Sequence, residues 1–590
     1  MRSILFDIET DDVAATKIWC MCAIDLDTGE EFSFPPHKLN EGYKLLKTYD
    51  KLVGHNIIGF DIPVIKRIHG VDLSDKKLVD TLVLSRLFNP VREGNHSLKN
   101  WGFILGGAKK LEFKEFSRYS DAMLNYCMHD VRLNVRVYNA LKKESKGFSR
   151  ESVDLELDTF KIICQQREDG FLLDEEAAKK TLSEIQGKMA EVVERVKERF
   201  LPREETMWLY PTYTNAGRLS KMALNNLGKN VRLTKNEYEC MKNKLKASND
   251  SKLVKVPRVN KTEFNLGSRQ QIGKYLIDFG WKPKSFTPTG QPEINESILS
   301  KVKDIPEAKL ISDYLMYQKR VSQIEPWIDA VQEDGRVRGY VNSNGTITGR
   351  MSHSDPNLGQ VVSVNSPYGK ECRACWVVPN NKRLVGIDAS GLELRMLAHY
   401  MNDKEYTNEI LNGDIHSHNQ RIAGLESRAK AKTFIYALCY GAGDKKLSTI
   451  LGGGTKEARG VREHFLDNLP AFKSLKDKVA RAATRKYLKG LDGRKLFVRS
   501  EHAALNTLLQ GAGAIVMKRA LVLFNDYIKD LDAYCVANVH DEWQVEVNKD
   551  QADEVGKLGV QAIKDAGVSF DLNCPLDGEY KVGGSWYETH

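Results

Sequence analysis

Two stretches far apart in the chain read as strands with carboxylates at their ends. Leu384-Val385-Gly386-Ile387-Asp388 is an apolar run of strand length that ends in an acid, and Ala389-Ser390-Gly391-Leu392-Glu393-Leu394-Arg395 then enters a helix. Downstream, Cys535 to Val539 and Trp543 to Val547 read as two strands, with His540-Asp541-Glu542 at the tight turn between them. Acids at a hairpin tip, taken alone, make an ordinary polar turn. A third element between the two sets them apart. Arg428, Lys432, Tyr436 and Tyr440-Gly441 recur at four-residue steps through a helical stretch. Each step drifts about 40° around a helix. Arg428 and Lys432 are like charges one turn apart, which mildly destabilises an isolated helix. A bound polyphosphate removes that repulsion; a solvated basic face over buried tyrosines is the alternative.

A second acidic constellation opens the chain. Asp7 and Glu9 follow Ile4-Leu5-Phe6, and residues two apart on a strand point the same way. Two such carboxylates repel unless a cation or proton lies between them. His55-Asn56-Ile57-Ile58-Gly59-Phe60-Asp61 comes next, then Tyr126-Cys127-Met128-His129-Asp130, whose Tyr126 and Asp130 lie four apart on one helix face. Asp7, Glu9, Asp61 and Asp130 are oxygen donors of the kind hard cations prefer. Two ions about 3.5–4 Å apart can activate a water and stabilise a leaving alkoxide.

Composition bounds the setting. At 590 residues the chain is long enough for about three to five domains. With 41% hydrophobic and 28% charged residues, disordered and collagen-like classes are excluded. No stretch approaches about 18 uncharged apolar residues, so no membrane helix is expected. The first residues enter a strand directly, without the succession of a signal or transit peptide, and a cytoplasmic protein is expected. Cys372-Arg373-Ala374-Cys375 has no second pair or His cluster beside it and reads as structural thiols. The net charge is +9, and between Pro202 and Lys261 stand 13 basic residues against 5 acidic ones. That window carries nearly all the excess. It is either a solvated lysine-rich surface or a patch facing a polyanion.

Residues 1 to about 150 alternate strands and helices; Glu151 to Leu201 reads as helical, with Leu182, Ile185, Met189, Val192, Val193 and Val196 on one face. Helical patterns resume from about Phe264 to Glu333. A mixed region runs to about Tyr400, a helical one to about Lys489, and a mixed part closes the chain.

The order DxE, NxxxFD, YxxxD resembles the 3′–5′ proofreading exonuclease domain of the DEDDy type. The acid-ended strand, the RxxxKxxxxxxxYG helix and HDE resemble motifs A, B and C of family A DNA polymerases. The likeness is closest to T7-like phage replicative polymerases, through runs such as Asn412-Gly413-Asp414-Ile415-His416, Gly490-Leu491-Asp492-Gly493-Arg494-Lys495 and His502 to Gln510. It implies an α/β multidomain fold: an RNase H-like 3′–5′ exonuclease domain plus a right-hand polymerase with palm, fingers and thumb. The corresponding spans are 1–150 for the exonuclease domain and 151–340 for the thumb, with a basic insertion at about 202–262. The palm begins at 341–400, the fingers follow at 401–495, and the palm closes at 496–590.

The resemblance also implies roles. Asp388 and Asp541 hold two Mg²⁺ ions, with Mn²⁺ as a substitute, aided by the Ala389 carbonyl and by Glu542 in support. Arg428, Lys432 and His416 grip the incoming dNTP, and Lys432 also donates a proton to the departing pyrophosphate. Tyr436 lies along the sugar and base and goes with tolerance of dideoxynucleotides, and Glu393 crowds a ribose 2′-hydroxyl. Tyr440 and Gly441 face the templating base, and His540 touches the primer terminus. Arg350 and Gln510 reach minor-groove acceptors common to A·T and G·C pairs. His502, Asn506 and Gln510 step along one helix face toward the primer-template DNA. In the exonuclease pattern Asp7, Glu9, Asp61 and Asp130 are metal ligands, and Tyr126 orients the attacking water. Phe264 to Ile272 resembles a thumb signature. Three readings of the insertion stand beside one another: a site for a thioredoxin-like processivity factor, a self-sufficient DNA clamp, or a plain basic loop. Contacts with a helicase-primase stay open. A single-subunit RNA polymerase shares the palm motifs; the exonuclease constellation and Glu393 argue against it.

Overall fold

The computed structural model describes residues 2–106, 113–209 and 256–590, together with residues 236, 239, 240 and 243. Most of the basic window at 202–262 lies outside the described residues. The chain divides into two units, Met1–Ala178 with Pro326–His590, and Lys179–Glu325. The expected span 151–340 is thus shared between them: 151–178 and 326–340 fall in the first unit.

The first unit opens with a five-stranded sheet. Its strands are β1 (Ser3–Thr10), β2 (Ile18–Asp25), β3 (Glu31–Phe34), β4 (Lys51–Gly54) and β5 (Lys77–Asp80), in the spatial order β3-β2-β1-β4-β5. β1 runs antiparallel to β2 and parallel to β4, and β4 is parallel to β5. Ile4, Phe6 and Ile8 pack into one core and Leu5 into another, so both faces of β1 are covered. The period of two then assigns Asp7 and Glu9 to the Leu5 face, where helix Asp121–Glu144 lies.

A second, four-stranded antiparallel sheet has the order Ala533–Val539, Glu542–Asn548, Lys382–Ala389, Gly578–Gly583. Register places Asp388 opposite both Glu542 and Glu579. Helices Ala504–Tyr527 and Ala552–Ser569 pack with this sheet around Val385, Ile387, Val545 and Val547. The close approach depends on Gly559, where an added Cβ would stand 2.4 Å from Ile387 Cδ1. Helix Ala504–Tyr527 is long and apolar, and most of its apolar window is buried within the fold.

The helical stretch expected over Glu151–Leu201 is two helices, Arg150–Asp169 and Glu175–Arg199, separated by strand Phe171–Leu173. Gly170 ends the first helix with φ +68, and the strand pairs with Arg336–Val337 and Trp376–Val377. Sheet pairing with distant segments overrides the local helical pattern there. Helix Arg150–Asp169 serves two cores: Leu157 and Phe160 pack under the first sheet, and Ile163 joins the core of the second.

The second unit is built around Val192, Val196, Phe200, Ile272, Leu276 and Ile311. Phe200 stacks on Phe264 at 4.4 Å, a residue of the thumb-like signature. Arg203–Leu209 and Val256–Thr262 form an antiparallel pair in which Leu209 stands opposite Val256. The segment between them therefore leaves and returns at neighbouring points.

Candidate active site

Two carboxylate centres stand on two of the sheets of the first unit, the five-stranded and the four-stranded one. At the first, Asp61 is buried at the start of helix Asp61–His69, and its Oδ1 accepts a hydrogen bond from the Ile8 amide at 3.1 Å. β4 pairs with β1 only through Leu5, so the Asp61 carboxylate takes up the β1 edge where β4 stops. Burial lifts its pKa to about 7. Asp7, Glu9 and Cys127 have ligand atoms all within 4.8 Å of one another. Cys127 sits on helix Asp121–Glu144, three residues before Asp130 and so on its face. The Cys127 Sγ donates to the Asp7 carbonyl at 3.5 Å. Tyr126 is mostly buried, with its ring 5.5 Å from Phe113 and 6.2 Å from Phe116. The structure thus brings the DxE strand, Asp61 and the YxxxD helix to one end of the sheet.

One residue here was not singled out from sequence. Asp80 is fully buried, and its carboxylate accepts from the amides of Asn56, Ile58 and Leu82 at 2.9–3.1 Å. It caps helix Thr81–Phe88 and at the same time fixes the loop leading to Asp61. An Asp ahead of an apolar helical run is the signal that marks it. Burial raises its pKa, and its charge adds to the rise at Asp61.

At the second centre, strand pairing joins Asp388, at the end of its strand, to the His540-Asp541 turn. The Ala389 amide donates to the Asp541 carbonyl at 3.2 Å, tying the two acidic segments together. Burial, then the charges of Asp541 and Glu542, lift Asp388 to about 7. Burial raises Asp541 as well. His540 takes φ +59, a left-handed conformation that costs a non-glycine residue about 1–2 kcal/mol. Such strain is held where the surrounding ladder over-determines the turn.

Glu542 behaves differently from its neighbours. Its Oε1 accepts from Gln544 Nε2 at 2.5 Å and Trp586 Nε1 at 2.6 Å, and its Oε2 lies 2.7 Å from His590 Nδ1. Burial pushes its pKa up, but these partners outweigh it and the net shift is downward. Gln544, Trp586 and His590 carried no local signal, because their meeting depends on how the chain end returns to the sheet.

The four-step helix is Arg428–Cys439, with Tyr440 as its C-cap. Arg428 and Lys432 are exposed on it, and Arg428 holds Asp414 through Nε at 2.7 Å and Nη2 at 3.1 Å. The Arg428 hydrogen bonds keep the Asp414 carboxyl well below the usual range. Asp414 in turn caps the helix that carries His416. Burial, then the charges of Lys432 and Arg428, lowers the His416 pKa, and its ring lies 6.3 Å from that of Tyr436. Glu393 bridges two other expected site residues. Its Oε1 accepts from Arg350 Nη2 at 3.0 Å and its Oε2 from the Tyr440 hydroxyl at 2.6 Å. Arg350, Glu393 and Tyr440, read separately from sequence, thus form one hydrogen-bonded set. A cavity of about 50 Å³ beside them is lined by Arg350, His540, Asp541 and Lys518.

His502 lies in the 3₁₀ turn Glu501–Ala503, before helix Ala504–Tyr527 begins; Asn506 and Gln510 are on that helix, one turn apart. His502 therefore does not share a continuous α-helix with the other two. Its carbonyl packs against Gly441.

Only oxygen donors converge from Asp388 and Asp541, and burial raises both pKa values, so the pair suits a hard divalent cation. Asp7, Glu9 and Asp61 offer the same donor type.

Comparison with known proteins bears on this geometry. Residues 233–588 match the family model described as DNA polymerase family A. The DNA-directed DNA polymerase of Enterobacteria phage T3 is 31% identical, with 99% of each chain covered. That of Escherichia phage T7 is also 31% identical, with 100% of each chain covered. Among solved structures, the POL domain of Pol1 from M. smegmatis, in complex with DNA primer-template and dNTP, aligns with a TM-score of 0.77 at 18% identity. The alignment covers 100% of this chain and 96% of that one, and shows a shared fold. A family match over more than half the residues, joined to relatives alike along their whole length, places the chain in DNA polymerase family A.

Proposed function

We propose that the chain is a replicative, phage-type DNA polymerase that extends a primer 3′ end with dNTPs and edits mispaired ends at a separate 3′–5′ exonuclease centre. The observation that carries this reading is the presence of two carboxylate centres, each on its own sheet and each with an acid lifted to about 7.

Asp388 and Asp541, with the Ala389 carbonyl, would hold divalent ions at the synthetic centre; Asp7, Glu9, Asp61 and Asp130 would hold them at the editing centre. When bound, Mg²⁺ favours ionisation of the attacking hydroxyl or water and stabilises the leaving oxygen. Positioning falls to the protein, as in phosphoryl transfer generally. Arg428, pre-oriented by Asp414, and Lys432 and His416 bind the triphosphate. Lys432 Nζ supplies a proton to the leaving pyrophosphate. Tyr436 supports the sugar. Glu393, fixed by Arg350 and Tyr440, stands against a 2′-hydroxyl. Glu542 holds Trp586 and His590 behind the acidic turn and acts as a support. Gln510 and Arg350 check pair shape in the minor groove, with His540, Asn506, His502 and Gly441 along the DNA. At the editing centre, Tyr126 Oη orients the water.

A 5′-labelled primer with a mismatched 3′ end, on a longer template with Mg²⁺, tests the reading. Shortening without nucleotides and full extension with all four dNTPs are expected. Extension of a matched primer with no shortening of the mismatched one would remove the editing half of the proposal.

A further inference from the structure

The editing centre contains a chemistry that its carboxylates do not explain. Asp7 stands opposite Cys22 and Glu9 opposite Cys20 on neighbouring antiparallel strands. Directly opposed residues point to the same face, so two acids and two thiols share it. Cys127 comes down onto that face from helix Asp121–Glu144, where its Sγ donates to the Asp7 carbonyl. Its Sγ is within 4.8 Å of carboxylate oxygens of both Asp7 and Glu9. All three thiols are buried, and none is in a disulfide.

Hard cations such as Mg²⁺ take oxygen ligands, whereas a thiolate selects softer ions. Zinc bonds to sulfur at about 2.3 Å and to carboxylate oxygen at about 2.0–2.2 Å. Around a tetrahedral ion such ligands stand about 3.4–3.7 Å apart, so side-chain rotations that draw the triad together by up to about an ångström close it on an ion. We propose that Asp7, Glu9 and Cys127 form a mixed oxygen–sulfur site for a thiophilic divalent cation of the Zn²⁺ and Cd²⁺ class, which competes there with the hard ion. Binding forms a metal–sulfur bond and releases the Cys127 proton to solvent; nothing is oxidised. Cys22, held by Ser33 Oγ at 3.8 Å and the Leu124 carbonyl at 3.6 Å, backs the site. The consequence for function, which rests on the exonuclease reading, is an editing centre that soft ions silence.

The test is a Cd²⁺ titration of the full chain with Mg²⁺ in excess, followed by the ultraviolet charge-transfer absorption of the cadmium–thiolate bond. The Cys240→Ser background removes the exposed thiol. A band that saturates at one equivalent and disappears on adding Cys127→Ser supports the site. No band, or a band that survives Cys127→Ser, overturns it. A thermal melt checks that each variant is folded, and Cys127→Ala replaces the serine variant if that one is not. In parallel, the Zn²⁺ concentration that half-inhibits mismatch removal should rise at least about ten-fold in Cys127→Ser, the scale that even outer-shell changes reach at metal sites. An unchanged value overturns the competition. A chain with no exonuclease activity would refute the functional reading of the centre, while the cadmium band would still decide the thiol ligand.

Discussion

Asp388 joins sequence to chemistry most directly. An aspartate titrates near 3.9 in an unfolded chain. In the fold, burial and the Asp541 and Glu542 charges lift it to about 7, and burial does the same for Asp61. The folded chain thus keeps protons that the unfolded chain gives up. The stability this contributes is complete below about pH 4 and is lost as pH rises through about 7. A divalent cation held by the ionised acids, as proposed, would restore it. Mg²⁺ should therefore raise Tm more at about pH 8 than at about pH 5, and Asp388→Asn should shrink the difference; melting curves with equal gains at both would contradict this. The acids were legible because their spacing is local: two apart on a strand, four apart on a helix, or at a turn. Asp80 and His590 were not singled out, although Asp80 stands before an apolar helical run. His590 matters through contact with Glu542, 48 positions away, and no pattern of neighbouring residues encodes that.

At the scale of elements, the helix Arg428–Cys439 was visible from its four-residue steps, within a helical stretch read as far as about Lys489. The helix end, and the reason for the glycine there, were not. Gly441 takes φ +75, and an added Cβ would stand 2.0 Å from the His502 carbonyl oxygen. The backbone atom cannot give way as a side chain would. Gly441→Ala should cost about 2 kcal/mol or more and displace the helix end from the turn that carries His502. Denaturant unfolding and primer extension read the two effects; a variant with wild-type stability would contradict the packing. The strand Phe171–Leu173 shows the opposite case. Its neighbours read as helix, and only partners from Arg336–Val337 and Trp376–Val377 make it a strand. Long-range pairing leaves little trace in a short apolar run.

At the scale of the molecule, the order of the motifs announced the family, while the join between parts had to be seen. Glu156, on the helix shared by two cores, is fully buried and accepts from Lys518 Nζ at 2.7 Å and Arg494 Nη1 at 2.8 Å. Arg494 also pairs with Asp492. Glu156→Gln leaves these cations short of a counter-charge and should destabilise the chain by about 3–5 kcal/mol in denaturant unfolding; a change under about 1 kcal/mol would contradict the account. The basic insertion is a question at the same scale. Its ends meet at the Leu209–Val256 pair, so residues 210–255 can be replaced by a short turn. Products made per binding event should then shorten, and unchanged processivity would leave only the plain-loop reading. The central claim is that the chain runs two chemistries at two independent centres. The most direct measurement puts Asp7→Ala and Asp388→Ala side by side on the mismatched primer, with and without dNTPs. The account predicts that Asp7→Ala abolishes shortening but extends a matched primer, and that Asp388→Ala abolishes extension but still shortens. Loss of both activities in either variant, or of neither, would contradict it.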